Sequence, residues 1–278
     1  SFRAGLFFCP SHEAPAPSVD IRGAGGGRVV LTVAGEELGS MERWRALENA
    51  FPGAVYLHRG RSFVVLSLNL ERGEAELVER ETDYFTQPLL QSMLETLHPI
   101  EDGTLGRHTA GLASYRVTDS VLGFRRVSQE GLHLVSTEEL DLPPTTFETV
   151  GVHVGLPKLV QEVDIARHAA GLHAMEHALM AVAPLLAGCD RGDLGSSWYA
   201  VFPETLAPGL FVFDRTPGGI GLAESLWRQR EAWRDAALRL LAGCPCPNGC
   251  PRCLLSARCE TNNEVLDKAM ARTVLQAE

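Results

Sequence analysis

Five of the seven cysteines in this 278-residue chain fall between Cys244 and Cys259, in the run Cys-Pro-Cys-Pro-Asn-Gly-Cys-Pro-Arg-Cys followed by Cys259. Thiols crowded in this way restrict the local fold to a wrap around a metal ion or a disulfide framework. The spacing Cys246-x3-Cys250-x2-Cys253-x5-Cys259 supplies four thiolates, which suits a closed tetrahedral zinc site. Pro247, Gly249 and Pro251 place turn chemistry between the ligands. The two-residue gap between Cys250 and Cys253 lets both sulfurs face one point. Cys244 is a possible substitute for Cys246, because a four-coordinate ion needs only one of the two. Disulfides are the competing reading. The sequence shows no signal-peptide pattern, however, and Cys9 and Cys189 are scattered, so zinc is favoured. Four thiolates leave no open position, which makes the zinc structural rather than catalytic. A redox Cys-x-x-Cys would be expected as a lone pair opening a helix.

Composition then bounds the remainder. Hydrophobic residues make up 45% and charged residues 22%, the balance of a chain with a packed core. No apolar run approaches the roughly 18–20 residues needed to span a bilayer, so a soluble, cytoplasmic chain is expected. A net charge of −10 argues against a wholly basic nucleic-acid surface but permits a narrow basic face.

The first half reads as β-rich. Arg28–Val33, Ala54–His58, Ser62–Leu68, Glu74–Glu79, Gly111–Val117, Val121–Val127 and Gly131–Val135 carry strand patterns. Arg59-Gly60-Arg61 marks a hairpin. Strands so closely spaced suggest a small barrel or curled sheet. Leu142-Pro143-Pro144 marks a change of regime, followed by a strand at Thr149–Val154 and a long helix near Ile165–Leu186. A short strand at Phe211–Asp214, a helix near Leu222–Leu241 and a closing helix near Val265–Leu275 complete the chain. The expected architecture is α+β: a β-rich, barrel-like part over 1–145, then a mixed α/β domain over 146–278 closed by the four-cysteine knuckle.

Three further constellations carry chemistry. His173 and His177 stand four apart on one helix, with Asp190 and Asp214 as nearby candidates, and support a rival reading as a free-standing metal-dependent hydrolase or nuclease. The order His-Ala-Met-Glu-His nevertheless differs from the His-Glu-x-x-His of zinc peptidases. Pro217-Gly-Gly-Ile-Gly221 follows a strand and opens a helix, so its amides suit either a phosphate or tight strand-to-helix packing. Finally, Arg59, Arg61, Arg125 and Arg126 lie near Tyr56, Tyr84, Phe85 and Phe124 in sequence. Guanidinium groups interleaved with rings are a pattern for single-stranded DNA.

Taken in order, these segments resemble a known family. They are Val19–Gly23, Pro52–Gly60, Asp83–Thr86, Val117–Phe124, Leu140–Pro144, Leu172–Ala178, Phe211–Gly221 and the cysteine cluster through Lys268. The combination resembles the C-terminal region of bacterial superfamily 2 DEAD/DEAH helicases of the mitomycin-repair-factor and tetracysteine kind, relatives of a fungal RecQ-like repair helicase. The last part is similar to the mitomycin-repair-factor zinc-binding domain. The resemblance implies a parent that is an ATP-dependent 3′→5′ DNA helicase acting in DNA repair, with this region guiding single-stranded DNA beside the motor domains, in a bacterial, nucleoid-associated setting. The sequence has no Gly-x4-Gly-Lys-Ser/Thr loop, and Gly23-Ala-Gly-Gly-Gly27 lacks the lysine and hydroxyl a nucleotide would need. The chain alone is therefore expected to lack ATPase activity.

Overall fold

The computed structural model describes residues 2–3, 6–7, 27–156, 165–256, 259, 261 and 263–276. The segment Val19–Gly23, most of the Gly23–Gly27 run and Cys9 lie outside these residues. The described elements form a two-stranded ribbon, two larger sheets and a helical layer. Strands β1 (Phe2–Arg3) and β2 (Leu6–Phe7) make the ribbon.

Strands β3 (Arg28–Val33), β4 (Glu36–Glu42), β5 (Val55–His58), β6 (Arg61–Asn69) and β7 (Glu74–Glu79), with helix α1 (Arg43–Asn49), build the β-rich, barrel-like part. Its strand order is β4-β3-β7-β6-β5, with β3 and β7 parallel and the other pairs antiparallel. The β5–β6 turn is Arg59-Gly60, both with positive φ, and His58 pairs with Arg61. Positive φ at both central residues gives the twist that a two-residue hairpin requires. Val29, Leu31, Phe63, Val65 and Leu77 bury one face of this sheet against Phe51 and Ala46.

The second sheet is dominated by two long strands, β8 (Tyr84–Leu105) and β9 (His108–Ser128), paired along their whole length. Strands β10 (Leu134–Glu139) and β11 (Thr145–Gly155) follow one another along the other edge of β9. Strands β13 (Ala207–Asp214) and β12 (Leu194–Phe202) extend the sheet beyond β11. β8 carries Pro88, Pro99 and three register shifts. Proline lacks a ladder donor and bulges interrupt pairing, so such a strand belongs at an edge, where β8 lies. The division expected at 145/146 falls at the start of β11, inside this continuous sheet.

Along β9, β11 and β13 both faces of the second sheet are buried, and period-two alternation sorts their side chains. Ala110, Leu112, Val152, Val154, Leu210 and Val212 face the helices. Ala113, Tyr115, Val117, Phe211 and Phe213 form an aromatic cluster on the opposite face, with Phe202.

The helical layer consists of α2 (Ile165–Ala187), α3 (Leu222–Arg228), α4 (Arg230–Gly243) and α5 (Lys268–Gln276). The single helix expected across 222–241 is broken at Gln229, whose ψ of 20° leaves the helical region. Trp233 donates its indole N–H to the Leu179 carbonyl at 2.9 Å and locks α4 onto α2. Gly171 allows α5 to cross close to α2, since a Cβ there would strike Met270. By length and composition, Ala166–Ala187 is long and apolar enough to cross a bilayer, with 67% of its most apolar window buried inside the protein. This corrects the expectation that no such segment exists: Arg167 and Glu176 interrupt the apolar run without lowering its average far.

Two polar devices organise these layers. The buried Arg215 guanidinium pairs with Glu48 of α1 and, at 3.1 Å, with Asp119 of β9, joining the two sheets. Burial raises the Asp119 pKa, and Arg215 works against that rise. Asp214 is fully buried at the end of β13, where its carboxylate accepts the N–H groups of Ile220 (2.6 Å), Leu222 (3.1 Å) and Ala223 (2.7 Å). The glycine turn, with positive φ at Gly218, Gly219 and Gly221, wraps those amides around it. Asp214→Ala should therefore strand three N–H groups near the start of α3. The expected loss is about 3 kcal/mol in urea unfolding, and a loss below about 1 kcal/mol would mean that water replaces the carboxylate.

Candidate metal centre

Helix α4 ends at Gly243, and the chain then turns around its own sulfurs. Pro245, Pro247 and Pro251 lack N–H donors and keep residues 244–253 out of a helix. The Cys250 carbonyl accepts the N–H groups of Cys253 (3.0 Å), Leu254 (3.0 Å) and Leu255 (3.2 Å), which brings Cys250 and Cys253 to one side. Gly249, at φ 122°, sits where a Cβ would press on Leu254 at 3.2 Å.

The Sγ atoms of Cys244, Cys246, Cys250 and Cys253 converge. Cys244 lies 3.6 Å from Cys246 and 3.5 Å from Cys250, while Cys253 lies 3.4 Å from Cys246 and 3.8 Å from Cys250. A tetrahedron of thiolates about 2.3 Å from a central zinc has edges of about 3.8 Å. The thiols are unoxidised, and this set fits structural zinc. Burial pushes the Cys253 thiol above its ordinary value. Burial would also raise Cys246, but hydrogen bonds from Cys253, Cys244 and Cys250 hold it below the ordinary thiol range, at about 6. A bound divalent ion deprotonates its thiol ligands outright. The buried Lys268 ammonium donates to the carbonyls of Cys244 (2.6 Å) and Cys246 (2.8 Å) and reaches Cys246 Sγ at 3.4 Å. It sets a positive charge against an electron-rich site, as outer-shell partners of metal ligands do. Sequence reasoning missed Lys268, although it opens the closing helix.

Cys259 is placed differently from expectation. Cys244 and Cys246 both belong to the four-sulfur group, and Cys259 does not. Asn263 contacts both Ser256 and Cys259. Its side chain bridges the backbone of Ser256, accepting at 2.6 Å and donating at 2.9 Å, and its N–H donates to Cys259 Sγ at 3.1 Å. Cys259 lies against α2, with its Sγ 3.3 Å from His173 Nε2. Burial opposes charge on Cys259 and on His177. Even so, hydrogen bonds from His173 and His177 hold Cys259 down at about 5, and Cys259 and Glu176 raise His177 to about 9. A cavity of about 360 Å3 opens beside this trio, lined in part by Glu176, Ser196 and Trp198.

The rival hydrolase set does not assemble. Asp214 is committed to the glycine turn, and Asp190 caps the short 3-10 turn Arg191–Asp193. Neither joins His173 and His177 in a group of ligand atoms among the described residues. The amides of Ile220 and Leu222, the candidates for a phosphate cradle, are already satisfied by Asp214.

The four arginines do not form one cluster of unpaired cations. Arg59 is exposed in the β5–β6 turn, and Arg61 pairs with Glu79. Arg126 pairs with Glu138 and lies over the rings of Tyr84 (5.4 Å) and Phe124 (5.2 Å). Arg125 lies beside it on β9, opposite Gln87 and Thr137. Phe124 is 1% exposed and packs on Phe51, so it serves the core and offers no face to a base. Tyr56, Tyr84 and Phe85 keep partial exposure.

Fold and site together define an α+β protein whose helical layer is closed by a four-thiolate zinc staple. A family model described as the MrfA Zn-binding domain matches residues 175–254, which include all four converging cysteines. The uncharacterized protein MJ1572.1 of Methanocaldococcus jannaschii is 35% identical over 108 residues, covering 38% of this chain and 96% of that protein. The uncharacterized ATP-dependent helicase YprA of Bacillus subtilis is 25% identical over 251 residues, covering 88% of this chain. A crystal structure described as the DUF1998 helicase MrfA bound to DNA shares the fold, with a TM-score of 0.63 and 22% identity over 96% of this chain. The chain belongs to the family of proteins that carry the MrfA Zn-binding domain. It spans 33% of the length of YprA and 36% of the MrfA chain.

Lys268 generates a prediction of its own. Lys268→Met keeps the buried stem and removes the ammonium, so zinc affinity should fall about 10–100-fold in competition with a chromophoric chelator. Unchanged affinity would mean that the carbonyl and sulfur contacts of Lys268 do not support the ion.

Proposed function

We propose that this chain is the C-terminal accessory and zinc-binding region of an ATP-dependent 3′→5′ DNA helicase that acts in DNA repair. In this reading it binds and guides single-stranded DNA while motor domains of the same protein, in a bacterial cytoplasm, hydrolyse ATP. The carrying observation is the four-sulfur cluster within the zinc-binding match, set in a chain that aligns over most of its length with a named helicase. The proposed ligands are Cys244, Cys246, Cys250 and Cys253. The name of the crystallised relative, a helicase bound to DNA, supports DNA as the partner.

Single-strand guidance rests on Arg59, Arg61, Arg125 and Arg126 beside the partly exposed Tyr56, Tyr84 and Phe85. The Arg61–Glu79 and Arg126–Glu138 pairs are water-exposed, and pairs of that kind are weak enough for a phosphate to compete. The net charge of −10 repels DNA from the rest of the surface, so binding should depend on few contacts. The chain by itself is proposed to be inactive as an ATPase, consistent with the lack of a Gly-Lys-Ser/Thr loop in its sequence.

Fluorescence anisotropy with a labelled oligonucleotide across a salt series tests this reading. Affinity for a single strand should exceed that for a duplex and fall with salt, with a slope of about 0.7 per phosphate contact. Replacing all four arginines with alanine should flatten the slope by one to three contacts and leave zinc content unchanged. Salt-insensitive binding, or DNA-stimulated ATP turnover by the chain alone, would overturn it.

A further inference from the structure

His173, His177 and Cys259 are brought together from positions far apart in the sequence, and the zinc staple does not use them. The two histidines lie four apart on α2 and so project from one face. They are 2% and 5% exposed. Together with Cys259 Sγ, one nitrogen from each ring forms a group with all atoms within 4.8 Å of one another. The 3.3 Å separation of His173 Nε2 and Cys259 Sγ is close to the edge of about 3.6 Å expected for a nitrogen and a sulfur sharing tetrahedral zinc.

The surroundings orient each donor. His177 Nδ1 donates to the Leu254 carbonyl at 2.6 Å, which leaves Nε2 as the nitrogen turned toward the trio. A carbonyl accepting from the other ring nitrogen in this way fixes the tautomer of a ligating histidine. The Trp198 ring stacks on His173, with centroids 5.0 Å apart and planes 20° apart, and restrains that imidazole. The Asn263 N–H holds Cys259 Sγ in place. Glu176, between the histidines, accepts from Ser196 and lies 3.5 Å from His177 Nε2.

We propose that His173, His177 and Cys259 form a second binding site for zinc or a similar divalent transition metal, distinct from the four-cysteine staple. Two imidazoles and one thiolate match the borderline-soft preference of zinc. Three protein ligands leave a fourth position, which faces the cavity and is available to water or to the Glu176 carboxylate. The ion would tie the loop at Cys259 to α2, independently of any role in DNA binding.

The experiment is a cobalt(II) titration of the metal-free full chain, followed by native mass spectrometry after zinc loading and desalting. Two ions per chain are expected. The cobalt bound at the trio should show roughly a quarter of the thiolate charge-transfer intensity of the staple, one sulfur against four. His173→Gln and Cys259→Ser should each lower the count from two to one and remove only the weaker band. One ion in the wild-type chain, with Cys259 alkylated by iodoacetamide equally fast with and without zinc, would overturn the proposal. So would two ions that survive both substitutions. If a substitution prevents folding, the wild-type band intensities and alkylation rates still decide. Failure of the staple would appear separately, as loss of the four-thiolate band.

Discussion

Four sulfur atoms held 3.4–3.8 Å apart are the constraint on which the C-terminal third depends. Between the end of α4 and the start of α5 no helix or strand exists among the described residues, so no backbone ladder holds the described part of that stretch. A central ion supplies the missing cohesion, as structural zinc does in small irregular domains. The cluster also fastens its surroundings: Lys268 ties the start of α5 to it, and the Leu254 carbonyl ties it to His177 on α2. Cys253 and Leu254 are themselves part of the main core. Loss of the ion would thus loosen the contact of three helices.

Beneath this staple lies a sheet whose central strands β9, β11 and β13 are buried on both faces, with aliphatic side chains toward the helices and aromatic ones away. Arg215 then joins that sheet to the β-rich part through Glu48 and Asp119. A buried guanidinium with two carboxylate partners makes a poor stabiliser compared with apolar packing, but removing one partner is costly. Such a junction fixes how the parts meet rather than adding much to stability.

The same economy of polar groups bears on function. The glycine turn after β13 has the shape of an anion cradle, yet the Asp214 carboxylate already fills it from within. Phe124 is similarly committed to the core beneath Arg126. The proposed contact set, Arg59, Arg61, Arg125 and Arg126, lies beside partly exposed rings on a chain with a net charge of −10.

The sequence by itself determined the zinc knuckle, the Arg59-Gly60 hairpin and the long helix α2, because each is encoded within a few residues by ligand spacing, turn chemistry or apolar content. It also carried the α+β class through the change in pattern near Pro143. The tertiary structure alone decided which cysteines share an ion. By spacing, Cys259 is a ligand together with either Cys246 or Cys244; in the structure Cys244 and Cys246 both join the group, and Cys259 lies instead against His173, 86 residues away in the sequence. It alone decided that β8 is one long edge strand, since its prolines and polar residues hide a periodicity that only pairing with β9 reveals. Local chemistry is written in neighbouring residues. The partners of a buried donor or a strand edge are fixed only when distant segments pack together.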